Sequence, residues 1–240
     1  VRLLNFDDRI LITDEFGTFH DFNSERRYQK LLDWPRLKNP DARAYQRLVE
    51  KNIDPRIFLE RLTKERPIGR DIFKILEDMA VGEFSVIGDK APLTYLAKTN
   101  ILINTIPNFK IIFTMRDGRD VISSQIRNYK GVGKSADWAQ PTIEQAQSFR
   151  YNWVGSAKLI DKYLDLYPNH TTLVKYEDLL NDLENGIYKI QEFLGLEIST
   201  LDDGGWYKPV HRGVWEQEHS EMMTKLSDEF KKWLERFEYI

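Results

Sequence analysis

Four short apolar runs restrict what this chain can fold into. Residues 9–15 (RILITDE), 84–90 (FSVIGDK), 109–116 (FKIIFTMR) and 171–177 (TTLVKYE) each join β-favouring residues to a polar end. Runs of this length read as short buried strands. The intervals carry helical periodicity. Asp54 stands before Pro55, the pattern of an N-cap followed by a first-turn proline. Strands alternating with helices imply parallel pairing and right-handed crossovers. The expectation is an α/β fold in which a central parallel sheet is flanked by helices. Residues 1–240 read as one domain, and the mostly helical stretch 16–83 as an insertion capping the sheet.

Further helices are expected at 24–34, where Ser24 can cap, at 68–81, and from Pro92 to residue 105. Residues 141–167 form the longest candidate, and 187–196 and 220–237 close the chain.

Composition narrows the function classes. A chain of 240 residues that is 41% hydrophobic can bury a large core. The formal net charge of -3 carries no global nucleic-acid signature. No run of 18 apolar residues is present, so no membrane span is visible. The absence of cysteine excludes disulfides, thiolate metal sites and cysteine nucleophiles, and suits a reducing cytoplasm. The sequence opens on Val1, so targeting stays open. Charge is uneven: residues 23–71 hold 13 Lys/Arg against 8 Asp/Glu (+5), and residues 176–240 hold 7 against 15 (-8). The basic stretch fits an anionic acceptor, steering of an anionic donor, or ordinary pairing along exposed helices.

Reactive groups gather at the strand tips: Asp14 and Glu15, Asp89 and Lys90, Arg116, and Tyr176 with Glu177. In α/β folds ligands bind at the carboxyl ends of parallel strands. Arg116 is followed by Gly118, which allows a tight turn, and by Ser124 within two turns of the next helix. A guanidinium, a hydroxyl and helix N-terminal amides suit an anion such as phosphate. The competing reading is Arg116 paired with Asp117 or Asp120. Four such tips favour a shared site. The stretch NYKGVGKS (128–135) fails as a Walker A loop, because Asn128 replaces the first glycine and a helix precedes it; it reads as a surface loop. His211 and His219 flank Glu216 and Glu218 at a spacing that suits no standard metal motif, so no metal is expected.

The same residues carry a family resemblance. MRDGRDVISS resembles the 3′-phosphate-binding segment of sulfotransferases that use 3′-phosphoadenosine 5′-phosphosulfate (PAPS), with Arg116 and Ser124 at the matching places. VKYEDLLNDLENGIYKIQEFLGL is similar to the family's Tyr-Glu-Asp-Leu segment and following helix, and GDKAPLTYL resembles a segment of the tyrosylprotein and carbohydrate branches. VHRGVW echoes the Arg-Gly loop over the 3′-phosphate. The family's 5′-phosphosulfate loop has no counterpart, and VRLLNFDDRILITDEFGTF resembles the part just after it.

The resemblance implies a P-loop-NTPase-like sulfotransferase fold that transfers a sulfuryl group from PAPS to an acceptor hydroxyl and leaves adenosine 3′,5′-bisphosphate. It makes Glu15 the base and Lys90 the cation at the bridging oxygen, with Asp14 and Asp89 orienting Lys90. Arg116, Ser124, Arg212 and Gly213 would hold the 3′-phosphate, and Tyr176 would touch the nucleotide. Trp206 and Trp215 are candidates for stacking. A carbohydrate, a tyrosyl peptide, a lipid or a small alcohol all fit as acceptor. A nucleotide-dependent kinase of related fold and a non-catalytic nucleotide-binding or scaffold protein are the alternatives.

Overall fold

The computed structural model describes residues 7, 9–14, 38–41, 43–66, 71–80, 84–90, 95–132, 143–200, 213, 215–216, 220–225 and 227–240. Its elements are β1 (Ile10–Asp14), α1 (Arg43–Glu50), α2 (Pro55–Glu65), α3 (Asp71–Met79) and β2 (Val86–Lys90). A 3-10 turn (Leu96–Lys98), α4 (Thr99–Thr105), β3 (Ile111–Met115), α5 (Gly118–Val132) and α6 (Ile143–Leu166) follow. The order ends with β4 (Thr171–Lys175), α7 (Tyr176–Asn181), α8 (Leu183–Leu194), α9 (Ser220–Thr224) and α10 (Asp228–Arg236). The chain divides into two compact units, Val1–Phe109 with Gln191–Tyr207, and Lys110–Ile190 with Lys208–Ile240.

In the first unit β1 and β2 pair in parallel, with Ile10 opposite Val86 and Asp14 opposite Lys90. The helices between them share one core with β1. Leu11 packs in a cluster with Leu48, Ile53, Phe58, Leu62, Ile72, Ile75 and Leu76. Phe58 and Leu62 lie one turn apart on α2, which gives that helix its buried stripe. The Asp54 carboxylate accepts the Arg56 N–H at 2.8 Å, satisfying one of the donors that the helix start leaves without a partner. A buried polar knot ties residues near β1 to the segment after α8. Asp7 Oδ2 accepts from Arg9 Nη2 at 2.7 Å and from Gln191 Nε2 at 3.0 Å. Ser199 Oγ accepts from Arg9 Nη2 at 2.9 Å, and the Ser199 N–H donates to Gln191 Oε1 at 3.1 Å.

In the second unit β3 and β4 pair in parallel, from Ile111 opposite Thr171 to Met115 opposite Lys175. On α6, Ala146, Trp153, Ala157 and Ile160 are buried at spacings that line one helical face. Ile122 and Ile126 do the same on α5, and Phe230 and Leu234 on α10. The corner from α6 into β4 is pinned by Thr171. Its hydroxyl donates to the carbonyls of Tyr163 at 3.1 Å and Tyr167 at 2.9 Å, and its N–H also donates to Tyr167 O at 2.9 Å. α8 ends at Gly195 (φ +75°), with the Leu196 N–H returning to the Gln191 carbonyl. That is the left-handed helix stop for which glycine is favoured.

Several local expectations differ from what the chain adopts. Tyr176 and Glu177, read as a strand tip, begin α7 instead. The helix expected from Pro92 is seen as the 3-10 turn at Leu96 and then α4, and residues 91–94 lie outside the described set. The stretch 220–237 breaks into two helices, with Ser227 capping the second by position. The glycine-bearing stretch at 128–135 is helical up to Val132, because α5 continues through Gly131. The expected helix at 24–34 lies outside the described residues.

Candidate functional site

A network of polar contacts in the second unit stands where β3 meets α5. Asp117 starts the helix. Its Oδ1 accepts the Arg119 N–H at 2.8 Å, and its carbonyl accepts the Val121 N–H at 3.0 Å. Its own N–H donates to Glu177 Oε1, from the first turn of α7, at 2.9 Å. Gly118 is not a turn glycine here; it is the first residue of α5. A Cβ at that position would come within 2.8 Å of the Trp153 ring and 2.7 Å of Phe230, so close packing explains the glycine.

Arg116 is gripped on three sides. Its Nη2 lies 3.2 Å from Asp120 Oδ2, and its carbonyl accepts the indole N–H of Trp153 at 3.1 Å. Its guanidinium carbon sits 5.1 Å from the centre of the Tyr176 ring, a cation–π geometry. The Asp120 side chain is 2% exposed and the Arg116 side chain 24%. The carboxylate is therefore behind and the cation in front, which favours an anion at the surface. Asp120 also accepts the N–H of Gly213 at 3.1 Å and, more loosely, that of Trp215 at 3.5 Å. The pairing with Asp120 is the competing sequence reading of Arg116, and it leaves the guanidinium part-exposed.

Ser124 lies one turn beyond Asp120 on α5 and is half-buried, whereas Ser123 is buried. The spacing from 116 through 120 to 124 thus places a cation, its holder and a hydroxyl along one side of the junction. Arg119 faces another way. It pairs with Asp117 at 2.7 Å, donates to the Tyr239 carbonyl at 2.8 Å, and lies 4.2 Å from the Trp215 ring centre. Trp215, a candidate for stacking, has the Arg119 guanidinium against its ring.

In the first unit, Lys90 ends β2 opposite Asp14. Asp89 Oδ1 accepts the Lys90 main-chain N–H at 2.9 Å, and Asp89 Oδ2 accepts the Tyr95 hydroxyl. Asp89 therefore fixes the strand end, with Tyr95 as a partner that the sequence reading missed. Glu15, Arg212, Trp206, His20, His211 and His219 lie outside the described residues. Of the sequence candidates, Arg116, Tyr176 and Gly213 are brought together, with Ser124 on the adjoining helix face. Asp120 as the common holder, Trp153 and Tyr239 were not foreseen. Among the described residues no cluster of three or more His, Asp or Glu has metal-binding geometry.

In the basic stretch, Arg61 pairs with Glu65 at 2.6 Å and with Asp78, just beyond the stretch, at 3.2 Å. Helix-surface pairing therefore accounts for part of the charge there.

The profile of the sulfotransferase family matches residues 15–200, which includes the β3–α5 junction and the start of α7. The chain belongs to the sulfotransferase family. The structure is similar to the sulfotransferase domain from the curacin biosynthetic pathway, with 16% identity and a TM-score of 0.57 over 96% of this chain and 97% of that one. It is also similar to the sulfotransferase domain of the Synechococcus PCC 7002 olefin synthase, with 14% identity and a TM-score of 0.55 over 96% and 94%. No match was found among curated proteins. The sulfotransferase fold accounts for parallel strands flanked by helices, and the enzyme's chemistry is sulfuryl transfer rather than the kinase or scaffold alternatives. No helix among the described residues is long and apolar enough to cross a membrane.

Proposed function

We propose that this sulfotransferase takes its sulfuryl group from PAPS, delivers it to an acceptor hydroxyl, and holds the donor's 3′-phosphate at Arg116. The observation that carries the reading is the Arg116–Asp120 pair. A buried carboxylate fixes a guanidinium at the N-terminal end of a 15-residue helix, with Ser124 one turn further on. Helix dipole, cation and hydroxyl all favour a dianion there. The residues fit the donor's phosphate on chemical grounds. Arg116 supplies two-pronged donation, Ser124 a further donor, and Tyr176 a ring against the guanidinium. The Gly213 N–H is directed to Asp120, so Gly213 serves by tying its backbone to the carboxylate that holds Arg116; in this reading Arg212, the preceding residue, adds a second cation.

The remaining roles follow from the resemblance. Glu15 takes the proton of the acceptor hydroxyl while its oxygen attacks sulfur. The bond from sulfur to the bridging oxygen breaks, and Lys90 stabilises the charge left on the departing bisphosphate. Catalysis of this kind rests on orientation and charge, and needs no metal. Residues 1–240 act in this reading as one sulfotransferase domain. A small molecule, carbohydrate or peptide serves as acceptor. A cytoplasmic setting suits a chain without cysteine.

The test is calorimetric titration with adenosine 3′,5′-bisphosphate. Charge-assisted hydrogen bonds contribute about 1.5–3 kcal/mol each, so Arg116→Ala should lose at least about tenfold in affinity. Ser124→Ala should lose less. Equal affinity in wild type and Arg116→Ala would remove the assignment.

A further inference from the structure

We propose that Tyr239 is a positioning residue for the Arg116 phosphate site, acting through Glu177, Trp153 and Arg119. The inference rests on the reading of Arg116 given above. Tyr239 follows α10 in a turn where Glu238 has a left-handed φ of +57°. The Glu238 N–H returns to the Glu235 carbonyl at 2.9 Å and the Tyr239 N–H to the Leu234 carbonyl at 2.8 Å. A non-glycine residue in that region is uncommon and carries some strain. Contacts on either side hold the turn. Lys175 pairs with Glu238 at 2.8 Å and lies 5.6 Å from the Tyr239 ring centre.

From this turn Tyr239 reaches three residues, each of which grips the backbone or carboxylate at Arg116–Asp117. Its ring meets Trp153 edge-on at 6.4 Å, and Trp153 holds the Arg116 carbonyl. Its carbonyl accepts Arg119, which holds the Asp117 carboxylate. Its hydroxyl is buried near Glu177, which holds the Asp117 N–H through Oε1.

The hydroxyl contact distinguishes positioning from mere packing. Glu177 Oε2 and Tyr239 Oη are both buried without a hydrogen-bond partner in the structure. Burial first, and then the charges of Glu177 and Asp117, push the phenol's pKa up, so it stays protonated and able to donate. A buried donor and a buried acceptor that each lack a partner keep their full desolvation penalty, and pairing them with each other removes both. The geometry points to Tyr239 Oη–H donating to Glu177 Oε2. A carboxylate anchored at one oxygen can still swing; anchored at both, it fixes the Asp117 amide and the start of α5.

The test compares wild type with Tyr239→Phe, which keeps the ring and the carbonyl. Three quantities are read: the melting temperature, the calorimetric affinities for adenosine 3′,5′-bisphosphate and adenosine 5′-monophosphate, and the amide exchange rate of Asp117. A neutral-to-charged hydrogen bond at one remove should give about a threefold to tenfold loss for the bisphosphate. The monophosphate affinity should not change, and Asp117 exchange should quicken by a similar factor. An unchanged preference for the bisphosphate together with unchanged Asp117 exchange overturns the proposal, whatever the melting temperature does. If wild type shows no preference for the bisphosphate, the phosphate reading of Arg116 fails, and Asp117 exchange still decides whether Tyr239 positions the helix start. Should Tyr239→Phe not fold, the wild-type hydroxyl proton is the second measurement. Bonded to Glu177 it is visible by NMR as slowly exchanging, and rapid exchange overturns the assignment.

Discussion

Asp120 holds Arg116 at 3.2 Å and, through the same carboxylate, the main-chain N–H of Gly213 at 3.1 Å. One buried acid therefore serves a cation on α5's own approach and a loop from far along the chain. Asp120→Ala should remove the acceptor of a part-buried N–H and of a guanidinium. The expected cost is about 1–3 kcal/mol of stability, with bisphosphate affinity falling alongside it. Asp120→Asn keeps an acceptor for Gly213 and should lose affinity with a smaller change in melting temperature. Thermal melts and calorimetry on the two variants check this; an Asp120→Ala protein with wild-type values for both would contradict it.

Gly118→Ala tests the packing beside the site. The added methyl meets the Trp153 and Phe230 rings well inside contact distance, and neither ring is the end of a flexible chain. Overpacking of this sort costs about 1–3 kcal/mol. For a chain of this size that corresponds to a fall of several degrees in melting temperature, at about 2–4 °C per kcal/mol. A melting temperature equal to wild type would show that Trp153 moves aside freely.

Glu15→Gln tests the proposed base. Loss of general-base catalysis lowers rates by about 10²–10⁴. kcat should fall by that factor while bisphosphate affinity stays within a few-fold. Asp14→Asn should cost less. Near-normal turnover in Glu15→Gln would pass the role to Asp14 or to a histidine such as His20, five residues further along the sequence.

The polar knot at Asp7 gives a pH dependence of fixed sign. The hydrogen bonds from Arg9, the largest cause, and from Gln191 hold the Asp7 carboxyl below the ordinary carboxylate range, against the opposing effect of burial. A depressed folded-state pKa means stability that is present above the unfolded value of about 4 and lost as pH falls through the lower folded value. Urea midpoints for wild type should therefore drop more steeply below about pH 4 than those for Asp7→Asn. The variant should also be less stable at pH 7. Parallel acid limbs would show that Asp7 is not the titrating group.

The strands were legible in the sequence because each is a short apolar run with a charged end, a pattern that needs no tertiary context. Asp54 and Pro55 announced α2 for the same reason, since capping is local. Boundaries set by tertiary partners were harder to read. Tyr176 continues the β-favouring run of TTLVKY, yet it turns into a helix whose next residue, Glu177, caps the Asp117 amide 60 positions earlier. Gly118 looked like a turn because glycine usually signals one, whereas its reason is two aromatic rings from α6 and α10. Arg116 and Ser124 were candidates because an arginine at a strand end and a serine early in the next helix suit an anion. Asp120, midway between them, was weighed as a competitor for Arg116, because a sequence shows that an acid is near an arginine but not that it stands behind it. Trp153 and Tyr239 gave no local signal, as their partners are remote in the chain.

The knot at Thr171 acts as a ruler for the site. Its hydroxyl and amide clamp the end of α6, so β4 can start at one residue alone. Parallel pairing then runs residue for residue from Ile111 opposite Thr171 to Met115 opposite Lys175. The next step along both chains is Arg116 and Tyr176, the pair that forms the cation–π contact. A slip of one residue would turn every β4 side chain to the other face and set Lys175 or Glu177 in place of the ring. A lysine there would repel the guanidinium, and a glutamate would neutralise it. The choice of an aromatic ring beneath the proposed phosphate ligand is thus made five residues upstream, by a threonine that never approaches it.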